Sequence, residues 1–255
     1  MRLTRLAATA LLVLGLLTGL VTTSGSAAGA APIPSARTVG PLFAPSVLGL
    51  GPTLGLPHYC SASVVHSRGH DLVLTAAHCV YGAGPGIEFA PGYHDGTSPE
   101  GVWTVTAAYL DPGWRSSRDP QHDFAILRVA AHGAVHVEDV TGGSHLAVAP
   151  APGTPVTVEG YVAGSGGRPL VCTGTVRYTI GFPTFHCDGY AAGVSGGPWL
   201  SGHRVVGLIG GLHQGGCNPD TSYSPAFGPD IAALLTRADA NGPGDLAPLP
   251  VSDGC

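Results

Sequence analysis

Residues 191–200 read AAGVSGGPWL, and the fold turns on what surrounds the serine. Gly193-Val194-Ser195-Gly196-Gly197 satisfies Gly-x-Ser-x-Gly, the spacing of a strand-to-helix elbow that exposes a nucleophilic serine at the top of a parallel α/β sheet. The same residues also contain Ser-Gly-Gly-Pro, a glycine-rich loop of a different architecture. Chain order separates the two, because the elbow architecture places its acid and then its histidine after the serine. Downstream of Ser195 the histidines are His203 and His213, and the first aspartate is Asp220. Acid never precedes histidine there, and no βαβ pattern leads up to the serine. The elbow reading fails.

Upstream, Leu72-Val73-Leu74-Thr75-Ala76-Ala77-His78-Cys79 is an apolar strand that ends in small residues and delivers a histidine beside a cysteine. Small side chains let the backbone turn tightly, so that the imidazole projects into a cleft, and a disulfide at the next residue would hold the turn. A lone histidine in such a place is ordinarily a core residue. This one is accompanied by Ser195 and by His122-Asp123-Phe124-Ala125-Ile126-Leu127, in which an aspartate precedes an apolar strand.

Thr75-Ala76-Ala77-His78-Cys79 together with Gly193-Val194-Ser195-Gly196-Gly197-Pro198 resembles the chymotrypsin-like (trypsin-like) serine proteases, specifically their secreted bacterial branch. The similarity runs from about Val39 to Ala238. It implies an all-β chain of two antiparallel six-stranded β-barrels, with the active site between them and a C-terminal α-helix. It also implies that Ser195 is the nucleophile, His78 the general base and Asp123 the acid, with Asp111 and Asp119 as alternatives for the last role. A buried carboxylate would fix the histidine tautomer and stabilise the imidazolium. The N–H groups of Gly193 and Ser195 would form the oxyanion hole, in a loop conformation that glycine permits. Peptide-bond hydrolysis through an acyl-enzyme needs no cofactor and no metal, and the expected partners are protein or peptide substrates of a monomeric enzyme. A catalytically silent binding protein or an esterase on the same fold are the alternatives.

Composition agrees with many short strands. Gly 40 and Pro 23 are scattered among apolar runs rather than gathered in low-complexity blocks. Strands are expected over Ala62 to Val65, Leu72 to Thr75, Val102 to Tyr109, Phe124 to Val129, Thr154 to Tyr161, Thr173 to Ile180 and Arg204 to Ile209. One helix is expected, Pro229 to Ala238, where Pro229 suits the first turn and Ile231, Leu234 and Leu235 share a face.

The amino terminus carries Arg2 and Arg5, an apolar stretch from Leu6 to about Val21, and then TTSGSAAGAAP. This is the pattern of a secretory signal peptide, with Ala28-Gly29-Ala30 as a cleavage site. The expected organisation is a leader at 1–30, a short segment or propeptide at 31–40, an N-terminal barrel at 41–135 and a C-terminal barrel with helix and Cys-tethered tail at 136–255. Loss of the two leader arginines leaves nine basic against sixteen acidic residues, and the net charge goes from −5 to −7. An acidic surface without a basic run argues against nucleic acid or an anionic membrane as partner. The chain contains no lysine, which excludes Schiff-base and Ser-Lys chemistry.

Six cysteines in an exported chain form a disulfide framework with 15 possible connectivities. The simplest joins neighbours as Cys60–Cys79, Cys172–Cys187 and Cys217–Cys255, each stabilising by roughly 3 to 4 kcal/mol on loop entropy. No cysteine pair has zinc-site spacing, and His66 and His70 in HSRGH read as surface-loop residues. His122 is expected to face solvent, opposite its neighbour Asp123.

Two departures from the family pattern matter. Val194 stands before the nucleophile, where activatable members carry an aspartate that pairs with a newly cut amino terminus. Arg37-Thr38-Val39-Gly40 resembles an activation junction, but its ion-pair partner is missing. The position six before the serine, which sits at the base of the specificity pocket, is Gly189, with Asp188 one step earlier. The pocket wall is expected from Gly207 to Gly216, including Ile209, Gly210 and His213, with backbone that would pair with an extended peptide.

Overall fold

The computed structural model describes residues 37–46, 50–165 and 167–249. The expected leader and Cys255, with its pairing to Cys217, lie outside the described residues. Six antiparallel strands close a barrel in the order β1-β2-β3-β6-β5-β4. They are β1 (Val39–Phe43), β2 (His58–Val65), β3 (Leu72–Thr75), β4 (Glu88–Phe89), β5 (Trp103–Leu110) and β6 (Ala125–Val129). The start of β5 alternates, Trp103 and Val105 pointing inward and Thr104 and Thr106 outward, as a half-buried strand should. β3 is buried along its whole length because β2 and β6 flank it and its two faces are both covered.

Short helices α1 (Pro112–Ser117) and α2 (Val137–Thr141) decorate this barrel. The crossing segment around 130–152 contains α2 and β7 (His145–Leu146). The C-terminal half is built from β8 (Pro155–Tyr161), β9 (Pro169–Thr175), β10 (Arg177–Thr179), β11 (Phe182–His186), β12 (Pro198–Ser201), β13 (Arg204–Leu208) and β14 (Thr221–Tyr223). These strands form a five-stranded sheet, β7-β13-β12-β8-β9, and a three-stranded sheet, β10-β11-β14. Only the β7–β13 pair is parallel among the pairs described. The expected run Thr173 to Ile180 is split at Val176, which turns inward between β9 and β10.

The expected helix is α3 (Pro229–Asp239), with Pro229 in its first turn. It buries Ile231, Leu234 and Ala238, and it packs not on the half that precedes it but back on the first barrel, within the cluster that holds Leu42, Leu72, Leu74 and Ile126. The Arg237 guanidinium fixes the docking by donating to the Leu110 carbonyl at 2.8 Å.

The two halves meet through Tyr161 of β8, fully buried in a cluster with Val39, Phe43, Ala90 and Tyr93. Its hydroxyl donates to the Tyr93 carbonyl at 2.8 Å. His58 of β2 donates from Nε2 to the Tyr161 carbonyl at 3.1 Å and sits edge-on to Phe43. Burial lowers the His58 pKa below its ordinary 6.5 and outweighs the carbonyl bonds that would raise it. The fold therefore favours the neutral imidazole, so His58 contributes its full stability above pH 6.5 and loses it as the pH falls through the lowered folded value. The thermal midpoint is expected to drop by a few degrees between pH 7 and pH 5, with a shallower slope in His58→Gln. Equal slopes in the two proteins would show that this histidine does not carry the effect.

Candidate active site

β3 delivers the histidine. After Thr75 the chain makes a single helical turn over Ala77–Cys79, with Ala77 and Cys79 buried and the His78 side chain facing the groove between the two halves. The Cys60–Cys79 disulfide ties this turn to β2, and Cys172–Cys187 ties β9 to the end of β11. Among the described residues, Cys60, His78 and Cys79 are the one grouping with metal-ligand proximity. Its two sulfurs are bonded to each other, so no thiolate is available.

Asp123 follows a short helical turn, Pro120–His122, and is fully buried. Its Oδ1 accepts the His78 backbone N–H at 2.9 Å. Its Oδ2 accepts His78 Nδ1–H at 2.7 Å and the Gly211 N–H at 2.8 Å. This carboxylate therefore fixes both the position of the histidine backbone and the orientation of the ring, and leaves Nε2 with its lone pair toward the cleft. Asp111 and Asp119 are occupied otherwise: each caps a helical turn, accepting the N–H of Gly113 and of Gln121. His122 does not face solvent freely; its Nδ1 lies 2.8 Å from Asp111 and its ring fills the space beside Gly113.

The serine loop is held by bonds that leave two N–H groups unused. Ala163 N–H donates to the Ala192 carbonyl at 2.7 Å, and Gly197 N–H to the Val194 carbonyl at 2.9 Å. In a planar trans peptide the N–H points opposite the carbonyl of the same unit. The N–H groups of Gly193 and Ser195 therefore point away from these bonds, and neither has a protein partner among the described residues. Gly193 has φ +99°, and a Cβ there would lie 2.6 Å from the Tyr161 carbonyl. Only glycine fits this position without strain.

A residue that sequence reasoning missed joins the two halves at this point. Ser61 of β2 donates its N–H to the Ser195 carbonyl at 2.7 Å and its hydroxyl to the Gly193 carbonyl at 2.9 Å. The same hydroxyl accepts the Tyr161 N–H at 2.8 Å. Ser61 thus sets the serine loop against the barrel that carries the histidine. Its only sequence signal is a hydroxyl at a fully buried position next to Cys60.

His78, Gly193 and Ser195 line one cleft of about 560 Å³, together with Ile209 and His213. Gly210 lies behind the wall, where a Cβ would meet Asp123 Oδ2 at 3.1 Å. Asp188 and Gly189 do not line the cleft: Asp188 is exposed, and Gly189 at φ +95° turns the chain so that Tyr190 faces inward instead. Tyr190 N–H is pinned to the Pro219 carbonyl at 2.7 Å, and burial pushes its phenol pKa upward. The expected extended wall also differs. β13 ends at Leu208, and Leu212–Gly215 forms a tight turn in which His213 and Gln214 adopt left-handed conformations with φ 51° and 50°. His66 and His70 pair through Nδ1 with Glu138 and Asp139, each at 2.6 Å.

A family model for the trypsin-like peptidase domain matches residues 60–208, a span that includes His78, Asp123 and Ser195. The chain belongs to the trypsin-like peptidase family. Solved structures agree with this trypsin-like peptidase fold. The protease Anisep from Arthrobacter nicotinovorans is 27% identical with a TM-score of 0.68, over 82% of this chain and 98% of that one. A thermostable serine protease, AL20, from an extremophilic microorganism is 24% identical with a TM-score of 0.65, over 81% and 99%. A Glu endopeptidase solved with MPD is 21% identical with a TM-score of 0.59, over 71% and 85%, a likeness of fold. No match is found among curated proteins.

Within this trypsin-like peptidase, Val194 is held by apolar packing. It is 5% exposed in a cluster with Val158, Tyr190, Trp199 and Ile209. Thr38 is already committed to the first barrel, its carbonyl accepting Val64 N–H at 2.8 Å, while Arg37 pairs with Glu100 at 2.6 Å. The segment resembling an activation junction leads directly into β1. No helix among the described residues is long and apolar enough to cross a membrane.

Proposed function

We propose that this trypsin-like peptidase is a secreted serine endopeptidase acting through Ser195, His78 and Asp123. The observation that carries the reading is the doubly bonded pair: Asp123 holds both the backbone and Nδ1 of His78, and Nε2 and Ser195 face one cleft. Ser195 Oγ attacks the scissile carbonyl while His78 Nε2 takes its proton. The tetrahedral oxyanion is met by the N–H groups of Gly193 and Ser195, whose loss would cost about 3 to 4 kcal/mol of transition-state stabilisation each. His78 then gives the proton to the leaving amine, and water resolves the acyl-enzyme by the same relay. Disulfides and the leader-like amino terminus support export.

A fluorophosphonate probe tests the reading. Labelling is expected at Ser195 and is expected to vanish in His78→Ala; a folded protein that takes no label would be a binder rather than an enzyme. The pocket beside the serine supplies Tyr190, Val194 and Ile209, and the cleft lining holds no Asp or Glu among the described residues. Burying a basic side chain there would leave its charge unpaired. Cleavage of a peptide library is therefore expected after apolar residues. Dominant cleavage after arginine that disappears in Asp188→Asn would overturn this assignment of the pocket.

A further inference from the structure

The chain carries a net charge of −5, and most of its arginines face its own carboxylates. Arg37, Arg68, Arg115, Arg128, Arg168 and Arg237 each do so. Arg118, Arg177 and Arg204 pair with no carboxylate among the described residues. Arg177 and Arg204 are exposed on β10 and β13. Arg118 is half-buried and lines the cleft that holds His78 and Ser195.

α1 puts it there. The helix opens on Asp111, whose carboxylate accepts the Gly113 N–H, and it buries Trp114. It closes at Arg118, whose N–H donates to the Trp114 carbonyl at 2.9 Å. Arg118 adopts φ 54° and ψ 39°, a left-handed cap that glycine or asparagine ordinarily fills. The chain then runs through Pro120–His122 to Asp123, the carboxylate that holds His78. This segment abuts the wall of the cleft: Gly211 N–H donates to Asp123, and a Cβ on Gly211 would lie 3.2 Å from the Pro120 carbonyl. Trp114 and Arg118 therefore belong to the side of the cleft that meets the acyl half of a peptide, upstream of the residue that fills the pocket at Tyr190 and Ile209.

Arg118 is the one permanently charged side chain of this lining among the described residues, and no Asp or Glu faces it there. Its guanidinium donates from Nη2 to the Leu249 carbonyl at 3.0 Å, a bond that occupies one N–H and neutralises none of the charge. A guanidinium carries five N–H donors in a planar fork that matches a carboxylate. Held in a groove of low dielectric, such a cation attracts anions locally even where the net charge of the molecule repels them.

We propose that Arg118 is a specificity-determining residue that binds an acidic side chain, Asp or Glu, a few residues before the scissile bond. This rests on the peptidase reading given above. The apolar pocket takes the residue at the bond and Arg118 takes the acidic one upstream, so the preferred substrate is an acidic peptide cut after an apolar residue. The contact is made alike before and during the chemical step, so its effect belongs in KM.

The test uses acetylated tetrapeptide aminomethylcoumarin amides, with leucine at the bond and Glu or Gln at the second, third or fourth residue before it. The unaltered chain is expected to favour Glu over Gln at one of these positions by about fivefold in kcat/KM at about 20 mM salt, and to lose most of that margin at about 500 mM. Arg118→Gln is expected to bring the ratio to about one, and Arg118→Glu to favour lysine over glutamine at the same position. Arg115→Gln, on the same helix but paired with Asp245, is expected to keep the ratio.

A ratio near one in the unaltered chain overturns the proposal, and so does a preference for Glu that survives Arg118→Gln or falls equally in Arg115→Gln. Thermal unfolding checks that each variant is folded. Should Arg118→Gln fail to fold, the unaltered chain still decides, because a Glu preference that salt leaves unmoved is not an ion pair. Fluorophosphonate labelling separates the two levels of the argument. A labelled protein with a ratio near one loses the role of Arg118 alone, whereas a folded chain that takes no label loses the peptidase reading, and the specificity role falls with it.

Discussion

Replacing Ser195 with alanine is expected to lower kcat on a peptide substrate by about a millionfold, and His78→Ala by a similar factor. The double variant should be scarcely worse than either single one, because the two side chains act as one unit once the hydroxyl proton must move to Nε2. KM should change little, since Ser195 Oγ and His78 Nε2 contribute mainly in the transition state. A residual rate above water would remain from the Gly193 and Ser195 N–H groups, which either substitution leaves in place. Single-turnover and steady-state assays on a chromogenic peptide measure this directly. Retention of activity within tenfold in Ser195→Ala would remove the proposed nucleophile.

The second large effect concerns Asp123. Asp123→Asn is expected to reduce kcat by about ten-thousandfold, and the reason lies in its partners. The carboxylate accepts three N–H groups, from the His78 backbone, His78 Nδ1 and Gly211. An amide offers one oxygen and one NH2. If the oxygen keeps the His78 backbone bond, the NH2 faces Nδ1, which must then accept, and the proton moves to Nε2, where it blocks base catalysis. The Gly211 N–H also loses its partner in a buried place, at a cost of about 1 to 3 kcal/mol. Asp123→Asn should thus lose both rate and thermal stability, whereas Ser195→Ala loses rate alone. Finding equal thermal midpoints for the two variants would contradict the buried three-donor geometry.

Much of the fold was legible because its signals are local. The apolar run Leu72 to Thr75 and the segment Phe124 to Val129 read as strands on composition alone, and they pair with each other as β3 and β6. The helix Pro229–Asp239 declared itself through Pro229 and the spacing of Ile231 and Leu234. What composition hid were two-residue strands such as Glu88–Phe89, too short to show a period, and the docking of α3 back on the first barrel. In the site, the serine and histidine stand in distinctive glycine- and alanine-rich contexts. Ser61 stands in none, because its role depends on Gly193, Ser195 and Tyr161, more than 90 residues away in the chain. The sequence leaves the orientation of Asp188 open for a related reason: a positive φ at Gly189 bears on which neighbour faces inward, and backbone conformation is not written in the residue types.

Val194 has a wider consequence. Where an ion pair with a new amino terminus organises a serine loop, the loop has two populated states and cleavage selects one of them. Here the valine is part of the core, and the donors that would face an oxyanion are placed by the same collapse that forms the second half of the molecule. On the proposed reading, competence is then a by-product of folding rather than of a cut that creates an ion pair at this position. On the proposed reading, restraint must come from geography and from traffic: from where the chain completes its folding, and from what is allowed to reach the cleft afterwards.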